Sequence, residues 1–248
     1  MGATQELAQF IVETRVEDIP KDVIHEAKRC FINFLGVALY AAKDPSLEIL
    51  LETFREEGGR PRATVVGTGV RTTLLNAALA NGYLGHLEDY DDTHFPTVIH
   101  ISSPVFPAIL GPAEALGQSG RQFLGAFVLG FETAARIGLA VHPTHYDLGW
   151  HITGTVGTFG AAAAAGKALG LNTQQMVYTL GAAGSQAAGI REAFGSMTKP
   201  FHPGRSAQSG LLAAILASKG FTSTTQVLEG RRGFCQIYSG KFDLSRVM

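Results

Sequence analysis

Two segments rich in glycine and alanine, at residues 153–171 and 179–190, restrict most strongly how this 248-residue chain folds. The first reads TGTVGTFGAAAAAGKALGL and the second TLGAAGSQAAGI. Each glycine inside a helix costs about 1 kcal/mol relative to alanine, so such a helix needs a compensating contact. Val156, Phe159 and Leu169 give the first segment too much apolar content for a flexible loop. We therefore predict helices whose small side chains let them pack closely against each other.

Apolar residues recur every three or four positions through much of the remaining sequence, which is typical of helices with one buried face. Several of these helices are apolar on most sides, so we expect them inside a helical assembly. The residue pattern predicts helices at 20–42, 45–59, 72–87, 104–117, 119–140, 154–170, 172–188 and 205–219. RATVV, at residues 62–66, is the best candidate for a strand. The predicted fold class is all-α, a multi-helix domain without a visible internal boundary.

The charge balance and the two cysteines exclude several classes of protein. The formal net charge is -1, which provides no basic surface for nucleic acid or for anionic lipid. Cys30 and Cys235 lie far apart without a CxxC partner, a usage typical of a reducing compartment. The first residues lack a signal-peptide pattern. The long apolar run at 123–141 contains Glu132 and Arg136, so we predict a buried helix of a soluble, cytoplasmic protein.

The segment HLEDYDDTHFPTVIH, residues 86–100, concentrates acidic and imidazole groups in a chain that is only 17% charged. Its titratable side chains are His86, Glu88, Asp89, Asp91, Asp92, His94 and His100. Crowded carboxylates raise one another's pKa, and a neighbouring histidine exchanges protons near neutral pH. We predict proton-transfer groups where a helix ends in a loop. The alternatives are a solvated turn, a divalent-metal site and, on DYDD alone, a metal-dependent terpene-type cyclase.

Two further segments carry candidate binding residues. His151 directly precedes the glycine- and threonine-rich helix start, where free backbone N–H groups favour an anion. Lys199, His202 and Arg205 are predicted to lie on a proline-broken connection before the helix at 205–219. Three cations there suit carboxylate groups. The alternatives are a histidine that only caps or packs at its helix, and a basic surface turn.

These three segments together resemble the MmgE/PrpD family, which includes 2-methylcitrate dehydratases, cis-aconitate decarboxylases and iminodisuccinate epimerases. The similarity extends over nearly the whole chain and keeps the three motifs in order. It implies an all-α N-terminal domain, normally followed by a smaller α+β domain, with the active site between them. It also implies chemistry without a cofactor or metal on small polycarboxylates, usually in a homodimer.

Carried over by motif, the resemblance implies that Asp89 and Thr93 line the site. His100 would be the loop histidine, His151 the histidine that opens the glycine-rich helix, and Lys199 the lysine of TKP. The shared step would remove a proton or carbon dioxide next to a carboxylate. Lys199 and a protonated histidine would stabilise the developing charge, His100 or His151 would exchange the proton, and Asp89 would orient its partner.

His202 and Arg205 are the remaining predicted substrate-binding residues. The loop from Thr93 to His100 is one residue longer than in the decarboxylase branch, which favours the dehydratase or epimerase branches. The resemblance places all of residues 1–248 in the N-terminal domain, so the small domain would be absent or separately encoded. We then expect little turnover from the chain alone and an exposed apolar surface around residues 233–242. The alternative function is a catalytically silent helical domain that only dimerises or binds a partner.

Overall fold

The computed structural model describes residues 2–248, and helices dominate it, as the periodicity predicts. The α-helices are α1 (Ala3–Glu13), α2 (Lys21–Ala41), α3 (Pro45–Glu57), α4 (Leu74–His86), α5 (Ser102–Leu116), α6 (Gly120–Val141), α7 (Thr144–Asp147), α8 (Ile152–Ala168), α9 (Thr173–Gly184), α10 (Thr198–Ser218) and α11 (Phe234–Ser239). Single 3₁₀ turns occupy Val16–Asp18, Arg191–Ala193 and Leu244–Val247. The prediction of an all-α fold is confirmed.

The predicted strand exists but is shorter than RATVV. It comprises β1 (Ala63–Thr64), which pairs antiparallel with β2 (Arg71–Thr72). Ala63 lies opposite Thr72 in this two-stranded sheet. The connection contains Gly67 and Gly69, both with positive φ, a backbone conformation that glycine adopts without a steric cost. The second strand, at residues 71–72, was not predicted because its sequence is too short to show alternation.

Helix α8 forms the centre of the fold, and the prediction of close packing by small residues is confirmed. All of its residues except Lys167 are buried, and it packs against α5, α6, α9 and α10. A Cβ atom added to Gly160 would lie 2.8 Å from the carbonyl oxygen of Gly130 in α6. One added to Gly210 in α10 would lie 2.5 Å from the backbone nitrogen of Ala162. Only glycine permits these approaches, and the area they bury offsets its low helix propensity.

A second close approach holds α10 against α4 and sets the geometry of the candidate site. A Cβ atom on Gly82 would lie 2.6 Å from the Cα of Gly204, and one on Gly204 would lie 2.5 Å from the carbonyl oxygen of Leu79. His86 ends α4, whereas Lys199 lies in the first turn of α10. The contact between the two glycines therefore fixes the end of one helix relative to the start of the other.

The expected boundary of the last long helix is wrong. Lys199, His202 and Arg205 do not lie on a broken connection, because α10 already begins at Thr198 and continues through Pro203. Pro200 stands in the first turn, where a missing N–H group removes no helical bond. Pro203 forgoes only the bond to the carbonyl of Lys199. The three cations therefore lie on one continuous helix.

Helix α6 is long and apolar enough to cross a membrane by length and composition, yet 72% of its apolar window is buried inside the fold. Two of its charged residues pair with each other, with Arg136 Nε 2.8 Å from Glu132 Oε1. This is the buried core helix that the sequence predicts.

The expectation of an exposed apolar surface around residues 233–242 is wrong for its central residues. Phe234 and Cys235 are buried in the core, and the ring of Phe234 contacts those of Phe159 and Tyr238. Of the large apolar side chains there, only those of Ile237 and Phe242 are exposed.

Candidate active site

The site loop, residues 87–101, leads from the end of α4 to α5. Asn33 of α2 holds it by accepting from the backbone nitrogen of Asp92 at 3.0 Å and donating to the carbonyl of Tyr90 at 3.2 Å. Asp89 and Val98 both adopt φ 53°, which is uncommon for residues other than glycine and costs energy that the surrounding contacts must supply. The loop is therefore held in one conformation by contacts from both sides.

A buried carboxylate, Asp91, joins two histidines at the centre of the site. Nδ1 of His86 lies 2.9 Å from both of its oxygens, and Nδ1 of His100 lies 3.3 Å from Oδ1. The hydroxyl of Ser103 also donates to it. Burial alone would raise the pKa of Asp91, but the charge of His86 and the hydrogen bonds from both histidines hold it well below its usual value. Asp91 is therefore an ionised acceptor at neutral pH.

His100 lies between this buried carboxylate and the open edge of the site. Its side chain is 19% exposed, and Nε2 lies 4.0 Å from Oδ1 of Asp89. Thr93 Oγ1 approaches Nδ1 at 3.4 Å, and the backbone nitrogen donates to Thr153 Oγ1 at 3.1 Å. Burial lowers the pKa of His100, but Asp91 and Asp89 outweigh that effect and raise it above its usual value. Its Nε2–H group is available at the accessible edge.

Lys199 reaches the same edge from α10. Its Nζ lies 2.6 Å from Oδ2 of Asp89 and 5.2 Å from the ring centroid of Phe194. Partial burial raises the pKa of Asp89, but the bond and charge of Lys199 lower it overall. An ammonium group and an imidazole therefore face one carboxylate at the surface of the site.

His151 and His202 form a neutral pair behind Lys199. Their Nδ1 atoms lie 2.9 Å apart, so one donates to the other. Burial, followed by the charges of His86, His202 and Lys199, lowers the pKa of His151 to about 2. Burial and the charge of His86 also lower the pKa of His202. The His86 ring lies 5.7 Å from that of His151 and 4.7 Å from that of His100, so the pair adjoins the buried carboxylate.

The structure brings most of the predicted residues together, and their roles stay predictions. Asp89, Thr93, His100 and Lys199 share one edge, with His151 and His202 directly behind it. Arg205 differs, because it is exposed and its guanidinium donates to Gln208. Within residues 2–248, no contact recorded for Arg205 reaches the cluster.

Three residues of the site have no role assigned to them from the sequence. His86 and Asp91 appear there only as members of the acidic segment, and Ser103 does not appear at all. The sequence marks none of them as buried, although the five-residue spacing of His86 and Asp91 across the end of a helix is the one available signal. The motif identifies the exposed Asp89, but the buried Asp91 contacts more of the other site residues, namely His86, His100 and Ser103.

Four side chains of the cluster have the residue types of a metal site. One ligand atom from each of His86, Asp89, Asp91 and His100 lies within 4.8 Å of the others. However, Lys199 already forms an ion pair with Asp89, and the Asp91 carboxylate lies close to Nδ1 of both histidines. A cation would have to displace the ammonium group and the imidazole protons, so the arrangement suits a hydrogen-bonded network better than a coordination shell.

The comparison with known proteins agrees with this fold and site. Residues 5–247 match the MmgE/PrpD N-terminal domain. An all-helical domain whose acidic loop, glycine-rich helix and lysine-bearing helix converge is thus the N-terminal domain of this family. The chain belongs to the MmgE/PrpD family.

Curated relatives include several cis-aconitate decarboxylases. The chain is 31% identical over 239 residues to the enzyme from Aspergillus terreus, covering 94% of the chain and 49% of the relative. It is 32% identical over 242 residues to the enzyme from Homo sapiens, at 95% and 50% coverage, and 30% identical over 244 residues to that from Mus musculus, at 96% and 50%. The chain spans about half the length of these relatives. Their names belong to the decarboxylase branch, whereas the expectation from the loop between Thr93 and His100 favours the dehydratase or epimerase branches.

Proposed function

We propose that this chain is the catalytic N-terminal domain of a lyase that acts on a small di- or tricarboxylate. One observation supports it most strongly: His100 links a buried carboxylate on one side to the Asp89–Lys199 pair on the other. A cation and a protonated imidazole at an open edge suit an anionic substrate. The neutral His151 and His202 behind them suit proton exchange.

The names of the relatives make cis-aconitate the first substrate to test. In its decarboxylation, the bond from the allylic carbon to the departing carboxylate breaks, its electron pair forms a new double bond to the neighbouring carbon, and the pair of the old double bond moves to the far carbon. Negative charge then develops on a carbon next to another carboxylate, where Lys199 stabilises it. His100 delivers the proton from Nε2, because Asp91 keeps it protonated. The products are carbon dioxide and a five-carbon dicarboxylate.

Dehydration and epimerisation begin differently, with removal of a proton next to a carboxylate. In this chain His100 or His151 would accept that proton. His151 is unprotonated at neutral pH, but its lowered pKa also makes it the weaker base. Lys199 would stabilise the same enolate-like charge. The three reactions therefore share one set of residues and differ in the group that leaves.

The matching test is an assay of the purified 248-residue protein on cis-aconitate labelled with ¹³C in its carboxylates, measuring labelled carbon dioxide. 2-Methylcitrate and iminodisuccinate are assayed in parallel for dehydration and epimerisation. Turnover that is lost in Lys199→Met but retained in Lys219→Met, an exposed lysine just beyond α10, would support the proposal. Binding of all three substrates without any turnover, both in the chain alone and with the second half of a relative added, would favour the silent binding domain.

The relatives contain a second half that this chain does not represent, and we propose that a separate domain completes the site. The exposed side chains of Asp89 and Thr93 support this, because a site open to water stabilises developing charge only weakly. The DNA that follows codon 248 tests the idea: a frame similar to the second half of the relatives would support it. Turnover in the chain alone at the rate of the relatives would contradict it.

We also propose that the protein forms a homodimer in the cytoplasm. The exposed apolar side chains of Ile32 and Tyr40 on α2, together with Tyr90 of the site loop, surround a cleft of about 480 Å³. An exposed apolar cluster of this kind is typical of an interaction surface. We expect sedimentation to give the mass of a dimer for the wild type and of a monomer for Tyr40→Glu. Ile49→Glu, in another exposed apolar position, serves as the control, and a monomeric wild type would contradict the proposal.

A further inference from the structure

Asp91, held by His86 and Ser103, has no place among the site residues that the sequence motifs identify. Its carboxylate accepts hydrogen bonds from the Ser103 hydroxyl and from Nδ1 of His86, and it lies within 3.3 Å of Nδ1 of His100. The side chains of both Asp91 and His86 are completely buried, whereas that of His100 is 19% exposed. The buried pair therefore cannot contact a substrate and must act through His100.

The direction of these hydrogen bonds follows from the charge of Asp91. An ionised carboxylate only accepts hydrogen bonds, so Nδ1 must carry a proton in each histidine that donates to it. With Nδ1 of His100 facing Asp91, the other ring nitrogen, Nε2, faces the Asp89–Lys199 pair at the accessible edge. The carboxylate of Asp91, together with the backbone carbonyl of the same residue at 3.3 Å from Nδ1, thus selects both the tautomer and the orientation of the imidazole.

We propose that Asp91 is the positioning residue for His100, and that His86 and Ser103 hold Asp91 in place. The inference rests on the proposed function for its consequence in catalysis, but not for its geometry. The Nδ1–H group of His100 lies 3.3 Å from both a carboxylate oxygen and the backbone carbonyl oxygen of Asp91, and Nε2 is the only nitrogen left to exchange a proton with a substrate. His86 contributes a fixed donor, since Nδ1 reaches both carboxylate oxygens at 2.9 Å.

The charged or titratable groups around His100 come from four parts of the fold. Asp89, Asp91 and Asp92 lie in the site loop, His86 ends α4, His151 precedes α8 and Lys199 lies in α10. The carboxylates favour the imidazolium and the positive charge of Lys199 opposes it. The pKa of His100 is raised overall, so removing the charge of Asp91 reverses the balance.

The test measures the imidazole nitrogens of His100 by two-dimensional ¹⁵N NMR in the substrate-free protein. In the wild type we expect a proton on Nδ1 at every pH and loss of the Nε2 proton as the ring becomes neutral. Asp91→Asn should lower the pKa of His100 and increase the fraction of neutral rings protonated at Nε2. His86→Asn, whose amide nitrogen can replace Nδ1 as the donor, should keep the wild-type tautomer, whereas His86→Ala should not.

Asp92→Asn is the matched control, because Asp92 is the neighbouring carboxylate but accepts from Ser102 at 2.9 Å instead of from a histidine. It should leave the tautomer of His100 unchanged. A neutral His100 protonated at Nε2 in the wild type would overturn the proposal even if Asp91→Asn failed to fold. An unchanged tautomer and pKa in folded Asp91→Asn would overturn it as well.

A substrate assay then separates this inference from the proposed function. In any active form of the protein, Asp91→Asn should lower kcat by about 100-fold with little change in KM, because it alters proton transfer and not binding. The rate should fall at lower pH than in the wild type as His100 loses its proton. Absence of turnover in the wild type, also with the second half of a relative added, would contradict the proposed function alone, since the NMR result needs no substrate.

Discussion

The buried histidines in this domain differ in the charges around them, and His145 lies outside the candidate site. His145 of α7 donates from Nδ1 to the carbonyl of Tyr238 at 3.0 Å and accepts at Nε2 from Thr155 Oγ1 at 2.7 Å. Burial lowers its pKa to about 4. The two hydrogen bonds are both satisfied by the neutral ring, so protonation would be unfavourable.

We predict that His145 makes the fold less stable in mild acid. Between about pH 6.5 and pH 4 the unfolded chain binds a proton here that the folded chain does not, so the free energy of unfolding falls as the pH falls. The effect of this group is on the order of 3 kcal/mol at its limit. Urea unfolding at several pH values gives the free energy of unfolding as a function of pH. This free energy should rise with pH less steeply in His145→Gln than in the wild type, by the equivalent of about one proton. An unchanged slope would contradict the prediction.

Lys199 allows a sharper prediction about catalysis. Replacing Lys199 by Met should lower kcat on the substrate that the protein turns over by roughly 100- to 1,000-fold, the usual effect of removing one group that stabilises developing charge. Lys199→Arg keeps the cation and should retain more activity. Equal activity in Lys199→Met and the wild type would exclude Lys199 from the site.

At the level of single residues, the sequence predicted the accessible edge better than the buried centre. Asp89, His100 and Lys199 belong to motifs that a sequence displays directly. The burial of Asp91 depends on α4, the site loop and α5 meeting around it, which no local pattern encodes. Arg205 shows the converse, since a charge next to a motif need not face the same way once the helix is continuous.

At the level of elements, the contact between α4 and α10 depends on two glycines. Gly204→Ala should destabilise the fold by about 1–3 kcal/mol, because the added methyl group would collide with the backbone of Leu79 and force the helices apart. It should also weaken the pairing of Lys199 with Asp89. Chemical denaturation measures the first effect.

Gly36→Ala is the control for that measurement, and both variants are made in the Tyr40→Glu background because Gly36 lines the cleft of the proposed dimer face. Gly36 lies inside α2, and a Cβ atom there would have nothing within 4 Å. The substitution should therefore stabilise the protein by up to about 1 kcal/mol through helix propensity alone. If Gly204→Ala stabilised the fold to the same extent, the close approach of α4 and α10 would not be a requirement of the structure.

Helix positions were predictable wherever apolar periodicity was long, as in α2 and α6. The boundaries of the helices were less predictable. The start of α10, for example, depends on how a helix accommodates Pro200 and Pro203 near its first turn. The sequence predicted that the glycine-rich segment of α8 is a closely packed helix, but it did not predict which helices α8 contacts. Those neighbours are set by the small-residue contacts with Gly130 and Gly210, which are visible only in three dimensions.

At the level of the whole molecule, the domain presents its charged edge beside an exposed apolar face. The edge holds Asp89, His100 and Lys199, and the face holds Ile32 and Tyr40. This arrangement accounts for both parts of the proposed function: a polycarboxylate at the edge and a second copy of the chain at the face. The proposals are separable, because the variants that test them lie on different elements.

Titration of the isotope-labelled 248-residue protein with cis-aconitate, followed by NMR, tests most directly whether the edge binds a polycarboxylate. We predict saturable shifts of the His100 imidazole signals, with a Kd at least about tenfold weaker in Lys199→Met, the loss expected when a charge-assisted hydrogen bond is removed. Lys219→Met should bind as the wild type does. Saturable shifts confined to residues outside the site loop and the start of α10, with His100 unaffected, would contradict it.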